Sequence, residues 1–159
     1  MRVVIAPDSF KECLTAKQVA AAIAEGWQQA VPGDDLSLVP LADGGEGTTV
    51  ALVESQAGRL MPVEVTGPLG RTVHAQYGLV DDGRTAIVEV AEGSGLHHVT
   101  TARRDAMGAT SRGSGEVVRA ALAHRPEKLV LCLGGSATTD GGAGILQALG
   151  ARLLDSSGR

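Results

Sequence analysis

The chain of 159 residues has few aromatic side chains, and this scarcity excludes one class of binding surface. Phe10, Trp27 and Tyr77 are its three aromatic residues. Three widely separated rings do not provide the stacking platform on which single-stranded nucleic acids bind. The core must therefore be built from valine, leucine, isoleucine and alanine, in a chain whose 43% hydrophobic residues are typical of a globular protein.

The sequence also lacks a basic cluster and a long apolar run. Its formal net charge is −4, which argues against nucleic acid or an anionic membrane as a partner. The apolar stretch at the N-terminus is too short for a signal peptide, and no later run approaches the length of a membrane span. We therefore expect no nucleic-acid partner and no membrane partner.

Cysteine is scarce as well. Cys13 lies beside a predicted loop, and Cys132 lies inside a predicted buried strand. Two isolated cysteines of this kind indicate reduced thiols and a cytoplasmic protein. A disulfide between them is the alternative interpretation.

Two standard nucleotide-binding fingerprints are absent. A P-loop needs Lys-Ser or Lys-Thr after its second glycine, and no glycine-rich stretch here supplies that pair. The dinucleotide pattern G-x-G-x-x-G fails because Gly45-Glu46-Gly47 is followed by Val50 where the third glycine should stand. These absences argue against a P-loop ATPase and against an ordinary NAD-dependent dehydrogenase.

Glycine, in contrast, is abundant, and it is concentrated around residues 129–151. An apolar run from Leu129 to Leu133 ends at Gly134-Gly135, and Gly141-Gly142 precedes a second apolar stretch. This order predicts a buried strand, a glycine-rich loop and a helix. Glycine lets a ligand approach the backbone closely, and free N–H groups at a helix start favour phosphate or carboxylate. Anion binding is one interpretation, and a tight strand-to-helix connection is the other.

The order of elements along the chain predicts an α/β fold. Residues 1–59 read as strand, helix, strand, helix, with Thr15 and Gln18 as a capping box and Val19, Ile23 and Trp27 along one helical face. Residues 60–90 alternate with period two, with a last predicted strand that ends at Val90, and they contain a hairpin turn at Asp82-Gly83. Residues 60–104 are therefore predicted to form an antiparallel β excursion or part of a second domain. Residues 105–159 return to the helix and strand pattern.

Residues 1–59 and 105–159 are therefore predicted to form a Rossmann-like, mostly parallel sheet with helices on both faces. A strand is predicted to begin at residues 151–154 and to run into a turn. A domain seldom ends on a turn that introduces another element, so we expect the architecture to be incomplete and the chain to be inactive and prone to self-association on its own.

Polar side chains follow three of the predicted parallel strands and are expected to meet at one sheet edge. A lysine, carboxylates, hydroxyls and backbone N–H groups together suit phosphoryl transfer with Mg²⁺. Lys11, Asp43 and Asp140 are the candidate catalytic residues, and the two aspartates are also candidate metal ligands. The candidate residues for binding substrate or phosphate are Asp8, Ser9, Gly44, Gly45, Glu46, Gly134, Gly135, Ser136, Thr138, Thr139, Gly141 and Gly142.

Each of these residues also has a structural interpretation. Asp43 and Glu46 have the spacing of an N-cap and its N3 partner, so both could simply cap the second helix. Asp140 could cap the helix that follows it, and Lys11 could be a solvated surface residue. Arg103-Arg104 is typical of a solvated pair, and the spacing of His97-His98 is not that of helical zinc ligands.

Four long motifs in matching order resemble the bacterial glycerate kinase family. They are APDSFKECLTA at 6–16, PLADGGEGT at 40–48, ATSRGSGEVVRAAL at 109–122 and LGGSATTDGGAGILQALGARLLD at 133–155. The resemblance implies ATP-dependent phosphorylation of D-glycerate, with Mg²⁺, by a two-domain α/β enzyme whose active site lies in the interdomain cleft. It favours the 2-position of glycerate and corresponds to the N-terminal part of the family.

Two other functions stay open at this stage. A non-catalytic α/β fragment would bind a small anion such as glycerate or phosphate without turnover. A Rossmann-like oxidoreductase would bind a dinucleotide, which the absent fingerprint disfavours. The sequence does not assign ATP and glycerate to particular loops, and it does not indicate an oligomeric state.

Overall fold

The computed structural model describes residues 1–10 and 13–158 of the chain. Contacts divide these residues into two compact units, Met1–Asp43 and Gly44–Arg159. Both units combine helices with paired strands, so the mixed α/β class is confirmed. The division falls at 43/44. The predicted boundaries at 59/60 and 104/105 stay predictions.

The N-terminal unit is a strand, a helix and a strand. It consists of β1 (Arg2–Ile5), α1 (Ala16–Ala30) and β2 (Asp35–Leu38). β1 and β2 pair in parallel, with Val3 opposite Leu36. The predicted capping box is present, since the Thr15 hydroxyl accepts from the Gln18 amide and the Gln18 side chain accepts from the Thr15 amide.

The buried face of α1 differs from the predicted stripe. Of the predicted stripe, Val19 is buried, whereas Ile23 and Trp27 are 43% and 37% exposed. Ala20 and Ala24 are buried with Ile5 of β1. Small alanines let the helix backbone approach the short sheet, and this leaves the larger side chains at the margin of the contact. The Trp27 indole Nε1–H donates to Asp34 at 3.1 Å.

The C-terminal unit is organised around a four-stranded sheet in the order β3-β4-β5-β6. The elements of this unit are α2 (Thr48–Ser55), β3 (Arg59–Thr66), β4 (Thr72–Val80), β5 (Thr85–Glu89), α3 (Val90–Ser94), α4 (Arg112–Leu122), β6 (Lys128–Cys132) and α5 (Ala143–Ala148). β3, β4 and β5 form the predicted antiparallel meander, with a 3₁₀ turn at Asp81–Gly83. β6 then pairs in parallel with β5.

Helices cover both faces of this sheet, in which residues 59–89 supply three of the four strands. On one face, Val117 and Ala121 of α4 pack against Leu79, Ala86 and Val88 of the sheet. On the other face, Val53 of α2 packs with Val80, Ile87 and Cys132. Because side chains alternate along a strand, Ile87 and Glu89 of β5 point to the α2 face. The sheet thereby places a carboxylate beneath the start of α2.

Three local predictions are wrong. Val90, predicted as the end of a strand, begins α3. The helix expected from Asp105 begins at Arg112. Residues 151–154 form no strand, because a strand requires a ladder partner and this segment pairs with none of β1–β6.

The single parallel sheet edge expected for the loops after β1, β2 and β6 is also not formed in the described part of the chain. β1 and β2 make a two-stranded sheet of their own, and β6 belongs to the four-stranded sheet. Within residues 1–10 and 13–158, no helix has the length and apolar character needed to cross a membrane.

Candidate active site

The loop of residues 44–47 opens the C-terminal unit and leads directly into α2. Gly44 and Gly47 have φ of 98° and 91°, a left-handed conformation that glycine adopts without strain. The Gly44 amide donates to the Thr48 hydroxyl at 3.2 Å. Gly47 is the N-cap of α2 and has no side chain with which to accept from the helix. The predicted capping of α2 by Asp43 is therefore wrong, because the helix begins four residues further on.

Glu89, at the end of β5, provides the side-chain acceptors that the Gly47 N-cap lacks. Its Oε1 accepts from the Gly47 amide at 3.1 Å, and its Oε2 accepts from the Thr49 amide at 3.2 Å. The side chain is buried, with 1% of its surface exposed. The first N–H groups of a helix have no partner within the helix, so a carboxylate from the sheet caps α2 across 40 residues of sequence.

The second glycine-rich loop, residues 133–139, lies against the first. A Cβ atom on Gly134 would stand 2.6 Å from Gly45 Cα and 2.9 Å from its amide nitrogen. The loop is held on its other side by the segment after β5, since the Leu96 amide donates to the Gly135 carbonyl at 2.8 Å and the Ala137 amide donates to the Ser94 carbonyl at 2.9 Å. Two glycine-rich loops predicted from the sequence thus meet backbone to backbone.

The surroundings of these loops carry several negative charges. Burial and, to a smaller extent, the negative charges of Glu92 and Glu46 raise the pKa of the Glu89 carboxyl from 4.5 to about 7, against the hydrogen bonds from the Thr49 and Gly47 amides, which lower it. Burial also raises the pKa of Glu92, whose carboxylate accepts from the Gln76 amide at 2.9 Å. Burial lowers the pKa of His97. A cluster of titratable groups, Glu89, Glu92 and His97, therefore lies beside the loops.

Asp140 joins the starts of two helices. Its Oδ2 accepts from the Ser111 amide at 2.8 Å, from the Ser111 hydroxyl at 2.9 Å and from the Gly144 amide at 3.2 Å. Its Oδ1 accepts from the Gly142 amide at 3.1 Å. Burial alone would raise the pKa of this carboxyl, but the hydrogen bonds from Ser111, Gly144 and Gly142 outweigh burial and lower it.

The Ser111 hydroxyl completes this junction by accepting from the Ile145 amide at 3.1 Å. The interpretation that Asp140 caps the helix after it is therefore correct, since the carboxylate accepts from the Gly144 amide of α5. The same carboxylate also accepts from the Ser111 amide at the start of α4. Gly141 and Gly142, with φ of 61° and 81°, let the chain turn between Asp140 and α5.

The hydroxyl groups of the second loop line a pocket. Ser136 and Thr138 share a hydrogen bond of 2.9 Å, and the Thr139 hydroxyl donates to the Ala106 carbonyl at 2.6 Å. A pocket of about 210 Å³ lies between this loop and the segment before α4, and its walls include Leu96, Val99, Arg104, Asp105 and Ala109. Arg104, for which the sequence favoured a solvated position, lines the same pocket as these three hydroxyls.

The structure brings together part of the predicted site. Gly44, Gly45, Glu46, Gly134, Gly135 and Ser136 form the two adjoining loops. Asp8, Ser9 and Asp43 belong to the N-terminal unit, where the Ser9 amide donates to Asp8 at 2.6 Å. Lys11 lies outside the described residues. The proximity of Asp43 and Asp140 stays a prediction.

Sequence reasoning missed Glu89, Glu92 and the junction made by Ser111. A signal for Glu89 was available, because a glutamate that ends the apolar run Ala86-Ile87-Val88 is an ionisable group in a buried strand. Such a residue is unusual unless it is paired or functional.

The profile of the glycerate kinase family matches residues 3–159 of the chain. The chain belongs to the glycerate kinase family. It is 52% identical to a glycerate kinase of Bacillus subtilis (strain 168) over 99% of its own length, and 48% identical to a glycerate 2-kinase of Escherichia coli (strain K12) over 99%. These matches cover 41% and 42% of the two relatives.

A solved structure has the same fold as this member of the glycerate kinase family. The crystal structure described as that of a glycerate kinase 2 from Salmonella typhimurium LT2 superposes with a TM-score of 0.78 and 54% identity. The match covers 100% of the chain and 43% of that protein. The chain thus spans about two fifths of the length of the family members that it matches.

Proposed function

We propose that this chain is part of an ATP-dependent kinase that phosphorylates D-glycerate, with 2-phosphoglycerate as the product. The observation that carries the proposal is the contact between loops 44–47 and 133–139 over the buried Glu89, in a member of the glycerate kinase family. The 2-position is favoured because one relative at 48% identity is named as a glycerate 2-kinase.

The chemistry of phosphoryl transfer consists mainly of positioning and charge stabilisation. In the proposed reaction, the glycerate hydroxyl oxygen attacks the γ-phosphorus of ATP, the hydroxyl proton passes to a carboxylate, and ADP leaves. Backbone amides of the two glycine-rich loops and the hydroxyls of Ser136, Thr138 and Thr139 are suited to donate to the anionic oxygens. We assign the carboxylate role to Asp43, and Lys11 to neutralising the glycerate carboxylate or a phosphate.

Mg²⁺ accompanies ATP in this proposal, but the described residues do not by themselves form a cage for it. Among residues 1–10 and 13–158, no group of three or more histidine, cysteine, aspartate or glutamate side chains is placed to hold a metal ion. Both oxygens of Asp140 already accept hydrogen bonds.

The cytoplasm is the proposed location of the enzyme. The free thiols of Cys13 and Cys132 support it, since reduced cysteines are typical of that compartment.

The test is an ATP-coupled assay with D-glycerate, run on the full-length protein that contains this chain. We expect ADP release that depends on D-glycerate, with ³¹P NMR identifying the product as 2-phosphoglycerate. The 159-residue chain is assayed beside it. Binding of glycerate or ATP to the full-length protein without ADP release would replace the kinase by a non-catalytic anion-binding protein.

A further inference from the structure

The cap that Glu89 provides is unusual in its origin. A helix N-terminus is ordinarily capped by a serine, threonine, aspartate or asparagine at the N-cap position itself. In α2 that position is Gly47, which makes no side-chain bond to the helix. The glycine allows the left-handed turn of the loop, and a carboxylate from β5 supplies the acceptors.

This arrangement connects the loop to the sheet through the side chain of Glu89. Gly47 is the last residue of loop 44–47, and its amide is held at 3.1 Å by a carboxylate with 1% exposure. Gly45, two residues earlier in the loop, lies against Gly134 of the second loop. A shift of Gly47 would therefore displace the contact between the loops as well.

We propose that Glu89 is a positioning residue that holds loop 44–47 in its ligand-binding conformation only while its carboxyl group is ionised. The proposal rests on the proposed function for its effect on turnover, but not for its effect on the loop. An ionised carboxylate accepts from both amides at once. A protonated carboxyl has an O–H donor on one oxygen, which would face the N–H of Gly47 or Thr49 and remove one of the two bonds.

The groups around Glu89 bring its pKa into the pH range in which the enzyme can be assayed. Glu92 of α3 and Glu46 of the loop oppose its ionisation by charge. The Cys132 thiol of β6 is also nearby, and burial and the charge of Glu89 raise the pKa of that thiol. Thr49 of α2 and Gly78 of β4 face the same side of the sheet and carry no charge. Burial and these charges bring the pKa of Glu89 to about 7.

The kinetic test compares Glu89→Gln with Glu92→Gln in the full-length protein. The unmodified enzyme should gain activity as pH rises through about 7. This rise is the ascending limb of the pH–activity profile, and Glu89→Gln should remove it. The variant should also lower kcat/KM at pH 8 by about ten- to a hundredfold, the effect of losing a charge-assisted hydrogen bond. Glu92→Gln makes the same chemical change three residues away, where the carboxylate holds Gln76 instead of the loop.

Glu92→Gln should keep the limb but move it to lower pH, because the charge of Glu92 raises the pKa of Glu89. A limb that persists unchanged in Glu89→Gln, or one that Glu92→Gln moves to higher pH, would overturn the proposal. If Glu89→Gln fails to fold, the direction in which Glu92→Gln moves the limb still decides the test.

A second measurement is independent of turnover. In full-length protein labelled with ¹⁵N-threonine, the Thr49 amide resonance should shift with pH around 7, and the shift should be absent in Glu89→Gln. A Thr49 amide that does not titrate would overturn the role of Glu89 even in an active kinase. A titrating amide in a protein without glycerate phosphorylation would instead retain the positioning role and contradict the proposed function.

Discussion

Two carboxylates of the C-terminal unit, Glu89 at the end of β5 and Asp140 in the loop before α5, have opposite electrostatic environments. Glu89 is fully buried with two amide donors and negative neighbours, so its pKa is raised. Asp140 accepts four hydrogen bonds, and its pKa is lowered. Glu89 is buried more deeply than Asp140 and faces fewer donors, and both differences favour a higher pKa for Glu89, since burial opposes ionisation and hydrogen bonds to the charged form favour it.

Asp140→Asn should destabilise the protein. The amide NH₂ group would face N–H donors that the carboxylate now satisfies, and an unsatisfied buried donor costs about 1–3 kcal/mol. Asp105→Asn is the matched control, because the exposed Asp105 accepts a single amide hydrogen bond, from Gly108 at 2.9 Å. Urea unfolding should show the loss for Asp140→Asn and a change within about 0.5 kcal/mol for Asp105→Asn. Equal stability of the two variants would show that the junction contributes nothing.

Asp43→Asn separates a chemical role from a structural one. The cap of α2 is Gly47 with Glu89, so removing the charge of Asp43 should leave thermal melting almost unchanged. If Asp43 is the general base, turnover of the full-length enzyme should fall by about 10²- to 10⁴-fold. Full activity with unchanged melting would remove Asp43 from the catalytic candidates.

At the scale of elements, the approach of the two glycine-rich loops depends on the missing side chain of Gly134. Its position leaves 2.6 Å between an added Cβ and the Cα of Gly45, and real Cβ atoms do not come so close to backbone. α4 and α5 meet in a similar way at Gly115, where an added Cβ would stand 2.7 Å from the Cβ of Ala148. Glycine at these positions is a packing requirement.

Gly134→Ala should therefore push the loops apart. We expect a loss of about 1–3 kcal/mol in stability from the forced shift and a fall in kcat/KM of the full-length enzyme. Gly26→Ala is the control, because Gly26 lies inside α1 with nothing within 4 Å of an added Cβ. Its replacement should be neutral or stabilising by up to about 1 kcal/mol. Unfolding curves and kinetics that do not distinguish the two variants would contradict the close contact.

The sequence predicted local features well and tertiary partners poorly, for a physical reason. The capping box of Thr15 and Gln18 and the hairpin at Asp82-Gly83 depend on residues a few positions apart, so their signals lie within short windows. The partners of Glu89 are 40 and 42 residues away, and they follow from which strand lies beneath α2. The predicted common edge failed because β1 and β2 pair with each other and not with β6.

At the scale of the whole molecule, the site and the stability of the C-terminal unit are linked through the same carboxylate. An ionisable group buried at the sheet end is a cost to folding whenever it must be charged. Under the positioning role proposed for Glu89, that ionised form is the active one. The contribution of Glu89 to the free energy of unfolding should therefore be larger at a pH where its carboxyl is protonated than at a pH where the loop is held for binding.

The pH dependence of unfolding checks this linkage. The pKa of Glu89 is about 7 in the folded state and near 4.5 when unfolded, so the folded protein binds the additional proton between these values. Its contribution to stability is therefore fully present below about pH 4.5 and is lost as pH rises through about 7, with a slope of up to about 1.4 kcal/mol per pH unit. Asp140 and Glu116, whose pKa values are lowered, contribute with the opposite sign. The contribution of Glu89 is isolated by subtracting the free energy of urea unfolding of Glu89→Gln from that of the unmodified protein. This difference should decline between pH 5 and pH 7.5 and level off above. A difference that is constant across this range would show that Glu89 has the same pKa in the folded and unfolded states.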